Sequence, residues 1–384
     1  MTDVAVLSLH SSPLAQPGTG DSGGMNVYVR ELALSLAQAG LETTVFVRQT
    51  SPSQPAEVAV EPGCRVVHVP AGPFALAKED LPATVDAFTA GVARHLVDRP
   101  AQVIHANYWL SGVAGHRLKH RLDLPLVSTF HTLARVKAET GDPEPSRRID
   151  AETEVVACSD VIVANSAEEV VQLERLYGAE RSRIEIVAPG VEHAFFSPGD
   201  QRGARSALGL GDHPILLFVG RIQPLKGLDV AVGALAALGR ADAELVVVGG
   251  PSGVDGENEV ARVQALARRL GVADRVRFVA PQPHHLLSTY YRAADVVLVP
   301  SRSESFGLVA LEAGACGIPV VAAAVGGLRT LVDDGRTGLL VDSRRPDAFA
   351  AATRRILDDP AFAATLGAQA ARHAAGYTWS ASAA

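Results

Sequence analysis

Short runs of Val, Ile and Leu recur along this chain, and longer segments of helical period separate them. No other feature constrains the fold as much. A strand that is apolar at nearly every position must be covered on both faces, as in a parallel sheet flanked by crossover helices. The first run is Val4 to Leu9, followed by a loop and then a helix-period segment from Met25 that stops at Gly40. Strand-like runs continue at Thr44 to Val47, Arg65 to Val69, Val103 to His105, Leu126 to Thr129, Val161 to Ala164 and Ile184 to Val187. After a turn-rich stretch from Pro189 to Gly199 the series restarts. Strands are expected at Ile215 to Val219, Leu245 to Val248, Val276 to Val279, Val296 to Val299 and Val320 to Ala322, with a helix over Leu225 to Leu238 after the first.

The expected architecture is therefore α/β, with two Rossmann-like doubly wound parallel-sheet domains facing across a cleft. A length of 384 residues fits this, because single cores stop growing near ~250–300 residues. The expected division is residues 1–190 for the first domain, 191–199 for a linker and 200–365 for the second domain. Residues 366–384 form a tail that packs towards the first domain or frays.

Charge and cysteine usage narrow the partners. A net charge of −7 argues against nucleic acid, which needs a basic footprint. No apolar run approaches the ~18–20 residues of a membrane span, no signal peptide is visible, and the three cysteines are far apart. A cytoplasmic protein with small-molecule ligands is the expectation, and a homodimer is an open assembly state.

Four motifs carry chemistry. Gly18-Thr19-Gly20-Asp21-Ser22-Gly23-Gly24 precedes a helix. It contains G-x-G-x-x-G, but its strand ends nine residues earlier and no acidic residue closes the second strand, so dinucleotide binding fits poorly. A loop presenting backbone N–H groups to an anion fits better, and a glycine-rich surface turn is the plain alternative. Gly220-Arg221 with Lys226 follows the first strand of the second domain. A planar guanidinium and a compact ammonium beside a helix N-terminus suit a diphosphate. Lys226 is one of only four lysines among 35 basic residues. Glu304 and Glu312 flank Ser305-Phe306-Gly307-Leu308 in a loop that leads into a helix. A carboxylate in so apolar a setting needs a partner, and sugar hydroxyls would serve. Finally, His10, His105 and His131 end strands of the first domain. His116 and His120 are spaced i, i+4 without an HExxH pattern or a third ligand in sequence, so no metal is expected.

Together these residues resemble the retaining glycosyltransferases of the GT-B fold, family 4, whose E-x7-E motif matches Glu304 to Glu312. The runs Ser12 to Gly18, Asp21 to Tyr28, Lys78 to Pro82, Tyr108 to Gly112 and His131 to Lys137 resemble the branch that glycosylates D-inositol 3-phosphate in actinobacterial mycothiol biosynthesis. The resemblance implies a hexosyltransferase moving N-acetylglucosamine from UDP, the donor being a substrate, with no cofactor. His131, Glu304, Arg221 and Lys226 would be catalytic. Gln16, Pro17, Gly23, Gly24, Ser305, Phe306, Gly307, Leu308 and Glu312 would join Arg221, Lys226 and Glu304 in holding the donor. Gln16, Pro17 and Gly24 would do so from the first domain, and Glu312 would meet the ribose. His10, Asp21, Asn26, Lys78, Tyr108, Thr132 and Arg147 would hold the acceptor.

Departures from the pattern fall in the acceptor half. The segment from Lys137 to Arg147 is shorter than in the family, which leaves Arg147 or Arg148 as the phosphate ligand. Asn107 stands where histidine is usual, and the chain closes soon after Tyr377-Thr378-Trp379. Alternatives stay open: a GDP-linked or other donor, an unphosphorylated cyclitol, sugar or thiol acceptor, and a non-catalytic sugar-nucleotide-binding protein.

Overall fold

Each of the twelve apolar runs becomes a strand in the computed structural model, which describes residues 3–20, 22–142, 144–253 and 256–384. The chain divides into two units. The first comprises Met1–Ala15, Met25–Ala188 and Trp379–Ala384; the second comprises Gln16–Gly24 and Pro189–Thr378.

The first unit holds an eight-stranded sheet. Its strands are β1 (Asp3–Leu7), β2 (Glu42–Arg48), β3 (Glu57–Glu61), β4 (Cys64–Val69), β5 (Val103–Asn107), β6 (Leu126–Thr129), β7 (Val161–Ala164) and β8 (Ile184–Ile186). The order is β3-β4-β2-β1-β5-β6-β7-β8, and every pairing is parallel except β3 with β4. Sequence reading misses β3. Its residues Glu57-Val58-Ala59-Val60-Glu61 alternate between exposed and half-buried, and charged ends on an edge strand hide the signal. The run read as Val4 to Leu9 leaves the sheet after Leu7, where the Leu9 N–H turns to the Ser111 hydroxyl at 3.0 Å.

The second unit holds a six-stranded, wholly parallel sheet. Its strands are β9 (Ile215–Val219), β10 (Glu244–Val248), β11 (Val276–Val279), β12 (Val296–Val299), β13 (Val320–Ala323) and β14 (Gly338–Val341), in the order β11-β10-β9-β12-β13-β14. Its core gathers Leu216, Phe218, Leu245, Val247, Val296 and Leu298 from the sheet with Leu228, Val232 and Leu235 from a covering helix. Burying such side chains contributes ~1.5–3 kcal/mol each, which is why these runs need no polar face.

Both strand orders reverse direction beside their first strand. In the first unit this occurs between β1 and β5, and in the second between β9 and β12. Loops leaving the carboxyl ends of those pairs diverge and leave a crevice for ligand. The helix expected over Leu225 to Leu238 is broken. A 3-10 turn covers Pro224–Lys226, and the α-helix proper is Leu228–Ala237. Gly227 separates them at φ 72°, and a Cβ there would lie 2.2 Å from the Pro300 carbonyl oxygen. Only glycine lets the loop after β9 press so closely on the end of β12.

The closing residues are helical over Trp379–Ala383, with the Trp379 ring edge-on to Tyr28 at 5.7 Å within the first unit. Among the described residues no helix is long and apolar enough to cross a membrane.

Candidate functional site

In the second unit the candidate donor residues collect at the switch between β9 and β12. The loop after β9 carries Arg221 and Lys226, and the loop after β12 carries Glu304. Lys226 Nζ donates to Glu304 Oε2 at 2.6 Å, and the Ser301 hydroxyl reaches the same oxygen at 3.3 Å. The pair is partly exposed, so its oxygens and ammonium hydrogens stay within reach of a ligand. The Glu304 carbonyl accepts from the Gly327 N–H at 2.9 Å, which pins the loop from behind.

Arg221 donates to the Ser252 hydroxyl at 3.2 Å. Its loop runs on in parallel with the loop after β10, bonded from the Ile222 N–H to the Gly250 carbonyl at 2.7 Å. The glycine-rich segment Gln16–Gly24, expected to serve from the first domain, belongs to this second unit. Gln16 Nε2 donates to the Pro281 carbonyl at 2.9 Å. A Cβ on Gly23 would stand 3.0 Å from Arg221 Nε, and one on Gly24 3.3 Å from a Leu308 methyl. Adjacent glycines therefore pack against one candidate from each loop. Pro17 lies in the same segment, whereas Asp21 falls outside the described residues.

Gly307, at φ 107°, opens the helix Leu308–Ala315, and the Phe306 ring lies 5.9 Å from that of Tyr377. Glu312 is in that helix and only 5% exposed. The partner its burial demands is internal: the His284 ring meets Oε1 at 2.7 Å and the Tyr291 hydroxyl donates to Oε2 at 2.7 Å. Sequence reading did not find these two, because no local spacing links residues 284 and 291 to 312. Lone pairs remain on both carboxylate oxygens, so a ribose hydroxyl can still be accepted.

In the first unit, of the candidate acceptor residues, His10, Asn26 and Tyr108 meet at the switch between β1 and β5. His10 follows β1 and Tyr108 follows β5, and their rings lie 4.4 Å apart. Asn26 Nδ2 donates to Ser11 Oγ at 2.5 Å and to the Ser12 carbonyl at 2.6 Å, which fixes the loop beside His10. Tyr108 and His131 are held at φ 75° and 62°. Such strain in non-glycine residues persists where the surroundings over-determine it, and it clusters at ligand sites.

Arg148 and Arg147 separate cleanly. The Arg148 side chain is 3% exposed and engages Glu152, which is fully buried, at 2.7 Å. It also donates to the Thr132 carbonyl at 2.9 Å and hydroxyl at 3.0 Å, and it lies over the Tyr108 ring at 5.0 Å. Glu152 further accepts from the Ala134 N–H at 2.9 Å and from the Tyr177 hydroxyl. Arg147 instead is exposed and donates to the Glu79 carbonyl at 2.9 Å, one residue from the exposed Lys78.

His131 Nε2 meets Asn107 Oδ1 at 2.9 Å, and the Tyr28 ring packs edge-on at 4.7 Å. Asn107 is fully buried, and its Nδ2 has no hydrogen-bond partner among the described residues. Burial, helped by nearby His105, pushes the His131 imidazole down to about 3, and burial pushes His105 down to about 4. Both rings should therefore stay neutral at working pH. Between their folded values and the ordinary 6.5, the unfolded chain binds more protons at these sites. Their contribution to stability is full above 6.5 and falls as pH drops towards 3. Glu169, pushed up to about 7 by burial, works in the opposite sense between 4.5 and 7. In an NMR titration the His131 and His105 ring signals should not move between pH 5 and 8. A titration of either near 6.5 would contradict this environment.

Comparison with known proteins adds the following. Residues 23–190 match the model described as "Glycosyl transferase 4-like domain", and residues 200–373 match "Glycosyl transferases group 1". The chain is similar to D-inositol 3-phosphate glycosyltransferase 2 of Catenulispora acidiphila, at 50% identity over 99% of this chain and 92% of that one. It is likewise similar to the D-inositol 3-phosphate glycosyltransferase of Kineococcus radiotolerans, at 51% identity over 99% and 93%. Among solved structures, sucrose-phosphate synthase from Thermosynechococcus elongatus superposes with a TM-score of 0.94 at 35% identity, covering 100% of this chain and 96% of that one.

Proposed function

We propose, since this chain belongs to the group 1 glycosyltransferases of the GT-B fold, that it moves N-acetylglucosamine from UDP to D-inositol 3-phosphate with retention of configuration. The acceptor reading rests on relatives at about half identity that bear that name and extend over nearly the whole chain.

The observation that carries the donor assignment is the contact of Lys226 with Glu304 across the switch between β9 and β12. A sugar diphosphate at that crevice would place its phosphates against Lys226, Arg221 and the N-terminus of the helix Leu228–Ala237. Glu304 would take the hexose hydroxyls, and Glu312 the ribose beside His284 and Tyr291. In the transfer step the acceptor hydroxyl attacks the anomeric carbon on the face that the diphosphate leaves. The bond from carbon to phosphate oxygen breaks, the new glycosidic bond forms, and the acceptor's proton passes to the departing phosphate oxygen. Fixed cations stabilise the charge that develops there.

On the first unit, His10, Asn26, Tyr108 and Thr132 would hold the inositol ring, and neutral His131 would hydrogen-bond the transferred sugar. Lys78 and Arg147 would take the acceptor phosphate. They are the exposed cations joined through Glu79, whereas Arg148 is committed to Glu152 and Thr132.

The test is nucleotide release from UDP-, GDP- and ADP-sugars, with D-inositol 3-phosphate, free inositol or a thiol as acceptor. Release should require UDP-N-acetylglucosamine together with the phosphorylated acceptor. Arg147→Ala and Lys78→Ala should each raise KM for that acceptor by ~10–100-fold and change kcat little, the loss of one charge-assisted phosphate contact. Equal turnover with free inositol, or a KM unmoved in both variants, would refute the phosphate assignment.

A further inference from the structure

We propose that the first unit carries a zinc site built by His116, His120 and Cys158, remote from the acceptor residues. The two histidines lie one turn apart on the helix Trp109–Leu122, and their rings are 5.0 Å apart. Cys158 is the last residue of the helix Ser146–Cys158. It supplies the third donor that the i, i+4 spacing lacks in sequence, 38 positions away from His120.

The three donor atoms lie within 4.8 Å of one another, and Cys158 Sγ is 3.4 Å from His120 Nε2. A tetrahedral zinc with Zn–S near 2.3 Å and Zn–N near 2.0–2.1 Å spans about 3.6 Å between a sulfur and a nitrogen ligand. The sulfur–nitrogen edge is thus already near the length that coordination needs. A thiolate with two imidazoles is a borderline-soft set that favours Zn2+ over Mg2+ or Ca2+.

Charges of both signs surround the ligands: the carboxylates of Glu154 and Asp160 act on them together with the cations Lys119, Arg117 and Arg183, so the donor geometry and not the surrounding potential carries the site. Lys119 Nζ donates to the Cys158 carbonyl at 2.9 Å and to Asp160 at 2.6 Å, which fixes the helix end that carries the sulfur. His120 is exposed and the other two ligands are half-buried, so an ion can enter and water can fill the fourth position. Coordination replaces the Cys158 S–H with an S–Zn bond and releases the proton to solvent.

His116 and His120 stand eight and twelve positions beyond Tyr108, roughly 12 and 18 Å along the helix at 1.5 Å per residue. The ion would therefore tie the far ends of two helices whose other ends support the acceptor residues. Its role is a clip that stiffens the scaffold, not a participant in transfer.

Chelator-stripped, reduced full-length protein should take up one equivalent of Co2+. The spectrum should show the visible bands of a tetrahedral site and a thiolate-to-cobalt charge-transfer band, and Zn2+ should bleach both. Cys158→Ser should abolish the charge-transfer band, and both Cys158→Ser and His120→Asn should weaken uptake by ~100-fold or more. Zn2+ should raise the Tm of the wild type but not of Cys158→Ser. An octahedral spectrum, no uptake, or affinity changed less than tenfold in both variants overturns the site.

Discussion

Replacing Lys226 with alanine should lower kcat by ~100-fold or more, the loss expected when one preorganised charge-assisted donor is taken from a developing phosphate charge. Lys226 sits on the turn Pro224–Lys226 that Gly227 ends, and it is held 2.6 Å from Glu304. Its ammonium is therefore positioned before donor arrives, and little reorganisation is left for the moment of bond breaking. Lys226→Ala also leaves Glu304 without its cation. The carboxylate would then face the diphosphate directly, so donor KM should rise as well. Lys226→Arg keeps the charge but not the compact point geometry, and should restore activity only in part. Steady-state kinetics with saturating acceptor decides this: near-normal turnover in Lys226→Ala would remove the residue from the reaction.

The second large effect is on stability. Glu152→Ala should destabilise the first unit by ~3–5 kcal/mol, because it removes the fully buried acceptor of three donors and leaves the Arg148 guanidinium only Glu144, at 2.9 Å, as a carboxylate partner. Glu152 accepts from Arg148, the Ala134 N–H and the Tyr177 hydroxyl, and all three donors lose their acceptor at once. For a unit of this size the thermal midpoint should fall by about 6–20 °C, measured by calorimetry on the full-length protein. Glu152→Gln keeps an acceptor oxygen and should cost distinctly less. A fall below about 2 °C in the alanine variant would show that Glu144 alone satisfies the Arg148 guanidinium and would overturn this reading. Since Arg148 also grips Thr132 and underlies Tyr108, the variant that stays folded should bind acceptor more weakly.

Much of the fold was legible because parallel strands announce themselves. Runs such as Ile215–Val219 and Val296–Val299 are buried almost throughout, as strands covered on both faces must be. β3 was not legible because its charged edge alternates, and β14 because Gly338-Leu339-Leu340-Val341 is short and starts with glycine. The break at Gly227 was hidden for another reason: what demands it is the Pro300 carbonyl, which the sequence places 73 positions away.

In the candidate site, Lys226 and Glu304 were each expected in a loop that follows a strand of the second domain, and the structure brings those two loops together. The partners of Glu312, the Arg148–Glu152 cluster and the meeting of Cys158 with two histidines were not legible. Each is a long-range contact between side chains that are ordinary in their own helices. Glu312 was expected to need a partner, with sugar hydroxyls able to serve; the structure gives it His284 and Tyr291.

The path of the backbone has a consequence for engineering. The polypeptide passes from one unit to the other after residues 15, 24, 188 and 378. A chimaera that exchanges donor halves between paralogues at one junction near residue 189 would keep its host's Gly23 and Gly24 against a foreign Arg221 and Leu308. It would likewise keep a host Tyr28 beneath a foreign Trp379. Modular recombination of this enzyme therefore needs all four junctions moved together, and libraries cut at a single site should yield mostly misfitted hybrids.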